Sequence, residues 1–323
     1  MDRKGEFFFG NWGLKLFQQR RGLAPERYKK FLAVILAAAL GLALILGWTG
    51  VAAPQEKIVV AASIIPLGDF CQKIGGERIK VQVLVPPGAS PHIFEPPPSV
   101  VAQALEAAVV VYVGAGLDPW VERLLRARGT RNMVVVEAVR AIPLLRQWNS
   151  HPHEQGNPHV WLDPVLAQRI CQDIAQAFIR VDPDYRQQYK ANLTSYLNKL
   201  AQLHHDILNE VTTFRRRAYV CFHPAFSYFA RRYNLKEVGV IEIAPGREPS
   251  PRHIQNIIDA IRRYRVPVVF TEPQLSSRVA EVIAREAGVK VASLDPLGGR
   301  APYGSDYLKM MRYNLSVMRR TLR

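Results

Sequence analysis

Residues 182–214 read DPDYRQQYKANLTSYLNKLAQLHHDILNEVTTF. After Pro183 this stretch holds neither Gly nor Pro, and Tyr185, Tyr189, Leu193, Tyr196, Leu200, Leu203, Ile207 and Val211 recur at spacings of three and four. That is the period of a helix with one apolar stripe. About 30 residues at about 1.5 Å each make a rod of about 45 Å, the length of a strut between two lobes. A flexible hinge would have been rich in Gly and Ser. The expectation is a pair of lobes joined by one stiff helix, with limited relative motion. His204 and His205 fall on the strut and are read as solvent-facing.

Working outward, the same rhythm appears on both sides. Before the strut, short β-branched runs occupy 57–63, 79–85, 109–114 and 133–138, separated by helical stretches; after it, 217–222, 237–243, 266–272 and 289–294 repeat the pattern. The runs are apolar throughout rather than alternating, as parallel strands covered on both faces require. Asp118-Pro119 and Asp163-Pro164 each place a capping acid before a proline at the first helical position. The reading is an α/β chain of two βα lobes with mainly parallel sheets, divided as 57–181, the linking helix 182–214, and 215–323.

The first 53 residues are of another kind. Residues 1–30 carry eight Lys/Arg against three Asp/Glu, and the 18 residues from Phe31 to Trp48 hold no charge. With small residues at Val51-Ala52-Ala53 as an exit, 31–53 reads as a secretory signal, or equally as a retained anchor with its basic end in the cytoplasm. Arg20-Arg21 admits a twin-arginine signal as a minor alternative. No Cys follows the run to carry a lipid. Either way the remainder works outside the cytoplasm. The net charge of +16 includes +5 from residues 1–30, which leaves about +11 on the exported part. Its cations are spread along helices without aromatic interleaving, which argues against nucleic acid as a partner. Cys71, Cys171 and Cys221 match neither a disulfide framework nor a zinc ribbon, so one disulfide is allowed and none is required.

Four polar residues beside prolines stand out: His92 in SPHIFEPPPS, His159 in NPHVWLDP, His223 in CFHPAFSYF and Asp295 in SLDPLGG. They lie 64 to 72 residues apart, so only the tertiary fold could bring them together. Three imidazoles and a carboxylate make a donor set suited to Zn²⁺. His92, His223 and Asp295 each follow the C-terminal end of a strand, where open α/β sheets bind ligands. Taken singly, a His beside a Pro is more often a surface turn, and Asp295 serves as a helix cap as readily as a ligand. Glu95 is a candidate hydrogen-bond partner for His92, Cys221 is read as core, and His253 as surface.

Together, PPGASPHIFEPPPS, NPHVWLDP, CFHPAFSYFARRYNL, APGREPSPRHI and SLDPLGG resemble, in order and spacing, the solute-binding proteins of metal ABC importers, the cluster A-I family of ZnuA-like and TroA-like proteins. The resemblance runs from about Lys57 to the C-terminus. It implies metal held between two lobes by His92, His159, His223 and Asp295, no catalysis, and delivery to a membrane permease served by a separate ATPase. His223 stands where manganese-preferring members tend to have Glu, which favours zinc, with manganese or iron as the alternative cargo. A periplasmic or membrane-tethered monomer is implied. The chain departs from zinc-importing relatives in having only NSHPHEQGNP in place of a long His-rich loop, so His151, His153 and Glu154 are either a shortened capture loop or incidental. Two rivals follow from the same residues. One is a secreted zinc hydrolase with Glu95 or Glu272 as base, which would need an open fourth position; the other is an additional role as a surface adhesin.

Overall fold

The computed structural model describes residues 25–46, 56–128, 133–146, 156–242 and 248–323. Arg20-Arg21, Val51-Ala52-Ala53, His151, His153 and Glu154 therefore lie outside the described residues. The chain divides into two units, 1–56 and 57–323. In the first, helix α1 (Pro25–Leu46) takes up most of the apolar run. Among the described residues no helix is long and apolar enough to cross a membrane.

The second unit contains two four-stranded parallel sheets. Strands β1 (Ile58–Ala62), β2 (Ile79–Val83), β3 (Val109–Tyr112) and β4 (Val134–Glu137) lie in the order β2-β1-β3-β4. Strands β5 (Ala218–Cys221), β6 (Lys236–Val240), β7 (Val268–Thr271) and β8 (Lys290–Ser293) repeat it as β6-β5-β7-β8. All eight expected runs are strands, seven of them trimmed by a residue or more and β6 starting one residue early and ending three short. The inner strands β3 and β7 are buried along their whole length, whereas the edge strands β2 and β8 expose Lys80 and Lys290. An edge strand has helix cover on less of its surface, so its apolar run tolerates cations that also discourage stray pairing. In both sheets the strand order switches sides between the two inner strands, the topological switch point of an open parallel sheet.

Helices α2 (Ile65–Gly75), α3 (Pro98–Glu106), α4 (Pro119–Arg128) and α5 (Pro164–Val181) belong with the first sheet. Helices α7 (Ser227–Arg232), α8 (Pro251–Tyr264), α9 (Arg278–Ala287) and α10 (Tyr307–Leu322) follow the strut α6 (Arg186–Thr212). Asp163 caps α5 as expected, its carboxylate accepting from the Val165 amide at 2.9 Å. Asp118 departs from expectation. Its carboxylate turns back to accept from the amides of Val113 and Gly114 at 2.8 and 2.9 Å, tying down the loop after β3.

The strut has 27 residues and so extends about 40 Å. Its buried face is Tyr189, Tyr196, Leu200, Leu203, Ile207 and Val211, the stripe read from the sequence, with Tyr185 and Leu193 partly buried beside it. Those side chains enter one apolar cluster that runs from β1 and β3 through α2, α5, α6 and α10 to β5 and β7. The lobes thus share a core. Each fully buried aliphatic side chain contributes about 1.5–3 kcal/mol, so sliding one lobe over the other would expose several such contributions at once. Leu200→Ala, at a position with no exposure, should cost about 2–5 kcal/mol by removing that volume from the shared core. Urea denaturation followed by fluorescence and by far-UV dichroism should show one transition at a lower midpoint; two separated transitions would mean the lobes do not share a core.

Candidate metal centre

His92 lies on the irregular loop between β2 and α3, which is pinned by Phe94 stacking edge-on against Trp120 at 6.2 Å. His159 opens the tight turn Val160–Leu162 that leads into α5. His223 follows β5 by two residues, at the crest of the second sheet. The fold brings all three together. The Nε2 atoms of His92 and His159 are 3.2 Å apart, and those of His92 and His223 are 3.1 Å apart. Among the described residues these three form the one group of His, Cys, Asp or Glu whose ligand atoms all lie within 4.8 Å of one another.

The other ring nitrogens explain why the Nε2 atoms face inward. His159 Nδ1 is 2.8 Å from Asn157 Oδ1, and Asn157 is oriented by donating its Nδ2 to the Pro224 carbonyl at 2.8 Å. His223 Nδ1 is 2.8 Å from Glu272 Oε1. An acceptor at Nδ1 places the ring proton there and leaves the Nε2 lone pair for a cation. Burial is nearly complete for His159 and His223, at 4 % and 9 % exposure.

This arrangement depends on bonds that cross between the lobes. Trp161 Nε1 donates to the Pro296 carbonyl at 2.8 Å, and Tyr307 Oη donates to the Trp161 carbonyl at 2.6 Å. Tyr228 Oη donates to the Asn157 carbonyl and accepts from the Leu145 amide. Arg232 pairs with Asp163 at 2.8 Å, so the residue that caps α5 also clasps α7. The histidines line a cavity of about 80 Å³ together with Glu242, Glu272 and Gln274.

Asp295, the fourth residue expected in the ligand set, lies outside the three-histidine group. Its Oδ1 accepts from the Leu297 and Gly298 amides and from Gln274 Nε2, and its Oδ2 accepts from Tyr303 Oη. The carboxylate shapes its own loop and ties it to the loop after β7. Glu95 does not reach His92 either; it is largely exposed and pairs loosely with Arg123 at 3.7 Å. All three cysteines are free and buried. His253, read as surface, donates its Nε2 proton to the Val240 carbonyl at 2.8 Å, and His204 meets Tyr233 Oη at 3.0 Å. Asn157, Glu272 and Gln274 gave no ligand signal in the sequence beyond lying two residues from a candidate or past the end of a strand.

Burial lowers the His92 imidazole to about 3, with the neighbouring His223 charge adding to the effect. His159 is held well below its ordinary value by burial, then by His223 and His92. For His223 burial also opposes protonation, but the charge and hydrogen bond of Glu272, with Glu242 and Glu237, outweigh it and raise the imidazole.

A two-lobed α/β scaffold with three imidazoles gathered in a small pocket at the sheet crests is the architecture of a metal-binding solute-binding protein. The chain belongs to the family described as zinc-uptake complex component A, periplasmic (ZnuA), which it matches over residues 60–321. Among curated relatives, the zinc-binding protein AdcA of Streptococcus pyogenes is 29 % identical over 290 residues, covering 83 % of this chain. The chain spans only 56 % of the length of that relative. The high-affinity zinc uptake system protein ZnuA of Bacillus subtilis is 28 % identical over 282 residues, covering 83 % of this chain and 88 % of its own length. Among solved structures, a crystal structure of ZnuA superposes with a TM-score of 0.75 at 32 % identity, over 83 % of this chain and 100 % of that one. The laminin-binding protein Lmb of Streptococcus agalactiae, described as bifunctional with adhesin and metal transporting activity, gives 0.74 at 30 % identity over 82 % and 100 %.

The three imidazoles set opposite pH limbs on the metal-free protein. His92 and His159 take up protons near 6.5 when unfolded but not when folded, so their contribution is lost as pH falls below about 6.5, by up to about 1.4 kcal/mol per pH unit per proton. His223 is raised, so its contribution is complete below about 6.5 and is lost as pH rises through its folded value. Urea midpoints of metal-free protein across pH 4.5 to 8.5, on the order of one per half unit, should show His92→Ala flattening the acid limb and His223→Asn flattening the alkaline one. An acid limb unchanged by His92→Ala would contradict the assignment.

Proposed function

We propose that this protein captures Zn²⁺ outside the cytoplasm, holds it on His92, His159 and His223, and delivers it to the membrane permease of an ABC importer driven by a separate ATPase. The observation that carries the reading is the convergence of three Nε2 atoms on one point between the lobes. Nitrogens bound tetrahedrally at about 2.0–2.1 Å would stand about 3.3 Å apart, so the observed spacings need to open by only a tenth or two of an ångström. Three imidazoles without a carboxylate in the cluster favour zinc over the harder manganese ion. Asp295 is left out of this ligand set because its oxygens already serve Leu297, Gly298, Tyr303 and Gln274.

The cavity size bears on the hydrolase alternative. About 80 Å³ is small beside the roughly 300–1,000 Å³ of pockets that take drug-sized molecules. Glu272, the candidate base, is engaged with His223 Nδ1. Both points support binding without bond chemistry. In this reading residues 57–181 and 215–323 are the two metal-binding lobes, 182–214 links them, 31–53 is the export signal or tether, and the protein works as a monomer.

Full-length protein stripped of metal and then given zinc at about 1,000 times its dissociation constant should gain about 4 kcal/mol, a rise of about 10 °C in melting temperature. His159→Ala should lose most of that rise. An equal rise in His159→Ala would count against the site, and no rise in wild type would count against zinc.

A further inference from the structure

We infer that Gln274 holds, through its amide oxygen, a water molecule that completes the coordination of the captured ion, and that Asp295 acts on the ion only by aiming that amide. The inference rests on the zinc reading above. Gln274 sits just past the end of β7, two residues after Glu272, and lines the same cavity as the three histidines.

Its orientation follows from chemistry. An ionised carboxylate can only accept, so the atom 2.8 Å from Asp295 Oδ1 must be the amide nitrogen. The amide oxygen therefore faces away from Asp295. That Oε1 atom is buried and has no hydrogen-bond partner among the described residues. A buried acceptor without a donor is costly, and native structures rarely leave one uncompensated.

Two of the neighbouring imidazoles have their ring protons engaged elsewhere. His159 and His223 place their Nδ1 protons on Asn157 and Glu272, and their Nε2 lone pairs face the metal point. A zinc ion with three imidazoles needs a fourth ligand, and water is the usual one. Water on a divalent cation is a strengthened donor and would satisfy Gln274 Oε1 while the ion is bound. Asp295 is fixed in turn by the Leu297 and Gly298 amides and Tyr303, so a chain of contacts runs from the loop backbone to the Gln274 amide. Gln274 is thus a positioning residue for the captured ion.

The test compares zinc affinity, by chelator competition, and the visible spectrum of the Co²⁺-loaded protein in full-length Gln274→Leu, Gln274→Asn and Asp295→Asn. Metal-free melting temperatures confirm that each variant folds. Gln274→Leu removes the acceptor at similar volume and should weaken zinc roughly 10- to 100-fold; Gln274→Asn, one methylene too short, should also weaken it. Asp295→Asn keeps an oxygen for the Gln274 amide and should lose less than Gln274→Leu, with the Co²⁺ bands unchanged. The reverse order, with altered Co²⁺ bands in Asp295→Asn, would make Asp295 a ligand and overturn the inference, as would unchanged zinc affinity in both Gln274 variants. If His159→Ala binds zinc as wild type does, the underlying site fails instead, which separates the two failures.

Discussion

Three imidazole lone pairs pointing at one place repel one another unless a cation lies between them, and the rest of the structure is arranged to hold them in that position. His159 and His223 are each fixed at Nδ1 by an acceptor that is itself restrained, Asn157 by the Pro224 carbonyl and Glu272 by its place at the end of β7. The cost of gathering neutral imidazoles in a dry pocket is visible in the depression of His92 and His159, whose protonated forms burial excludes. A divalent cation converts that cost into binding.

The fold supplies the stiffness this requires. Two sheets of identical strand order present their crests to each other, and α6 packs its apolar stripe into a core common to both. The Trp161–Pro296, Tyr307–Trp161 and Arg232–Asp163 bonds then fix the turn carrying His159 against the opposite lobe. A lobe-to-lobe hinge of the flexible kind would have to break these together with the shared core. His92 differs from its companions. It comes from an irregular loop anchored mainly by Phe94 on Trp120, and Ile93 beside it is 63 % exposed.

Much of this was legible in the sequence, for reasons that differ by element. The strut could be read because Tyr189 to Val211 keep helical spacing over more than five turns without a Gly or Pro. The strands could be read because buried parallel strands demand unbroken apolar runs, and the three histidines because each stands beside a proline in a motif that carries the family resemblance. Asp295 was open to two readings because an Asp before Pro serves loop backbone and metal equally well on spacing alone, and in the fold its oxygens accept from the loop amides. Asp118 misled for a similar reason: the sequence marks a helix start, but the carboxylate found nearer amides behind it. Asn157, Glu272 and Gln274 carry no periodic signal, because their roles come from neighbours distant in the chain.

X-ray absorption at the zinc edge of the loaded full-length protein tests the central claim most directly. Three imidazole nitrogens and one further light atom at about 2.0–2.1 Å are what the convergence of His92, His159 and His223 requires. Fewer than three imidazoles around the ion, or sulfur among its neighbours, would contradict it.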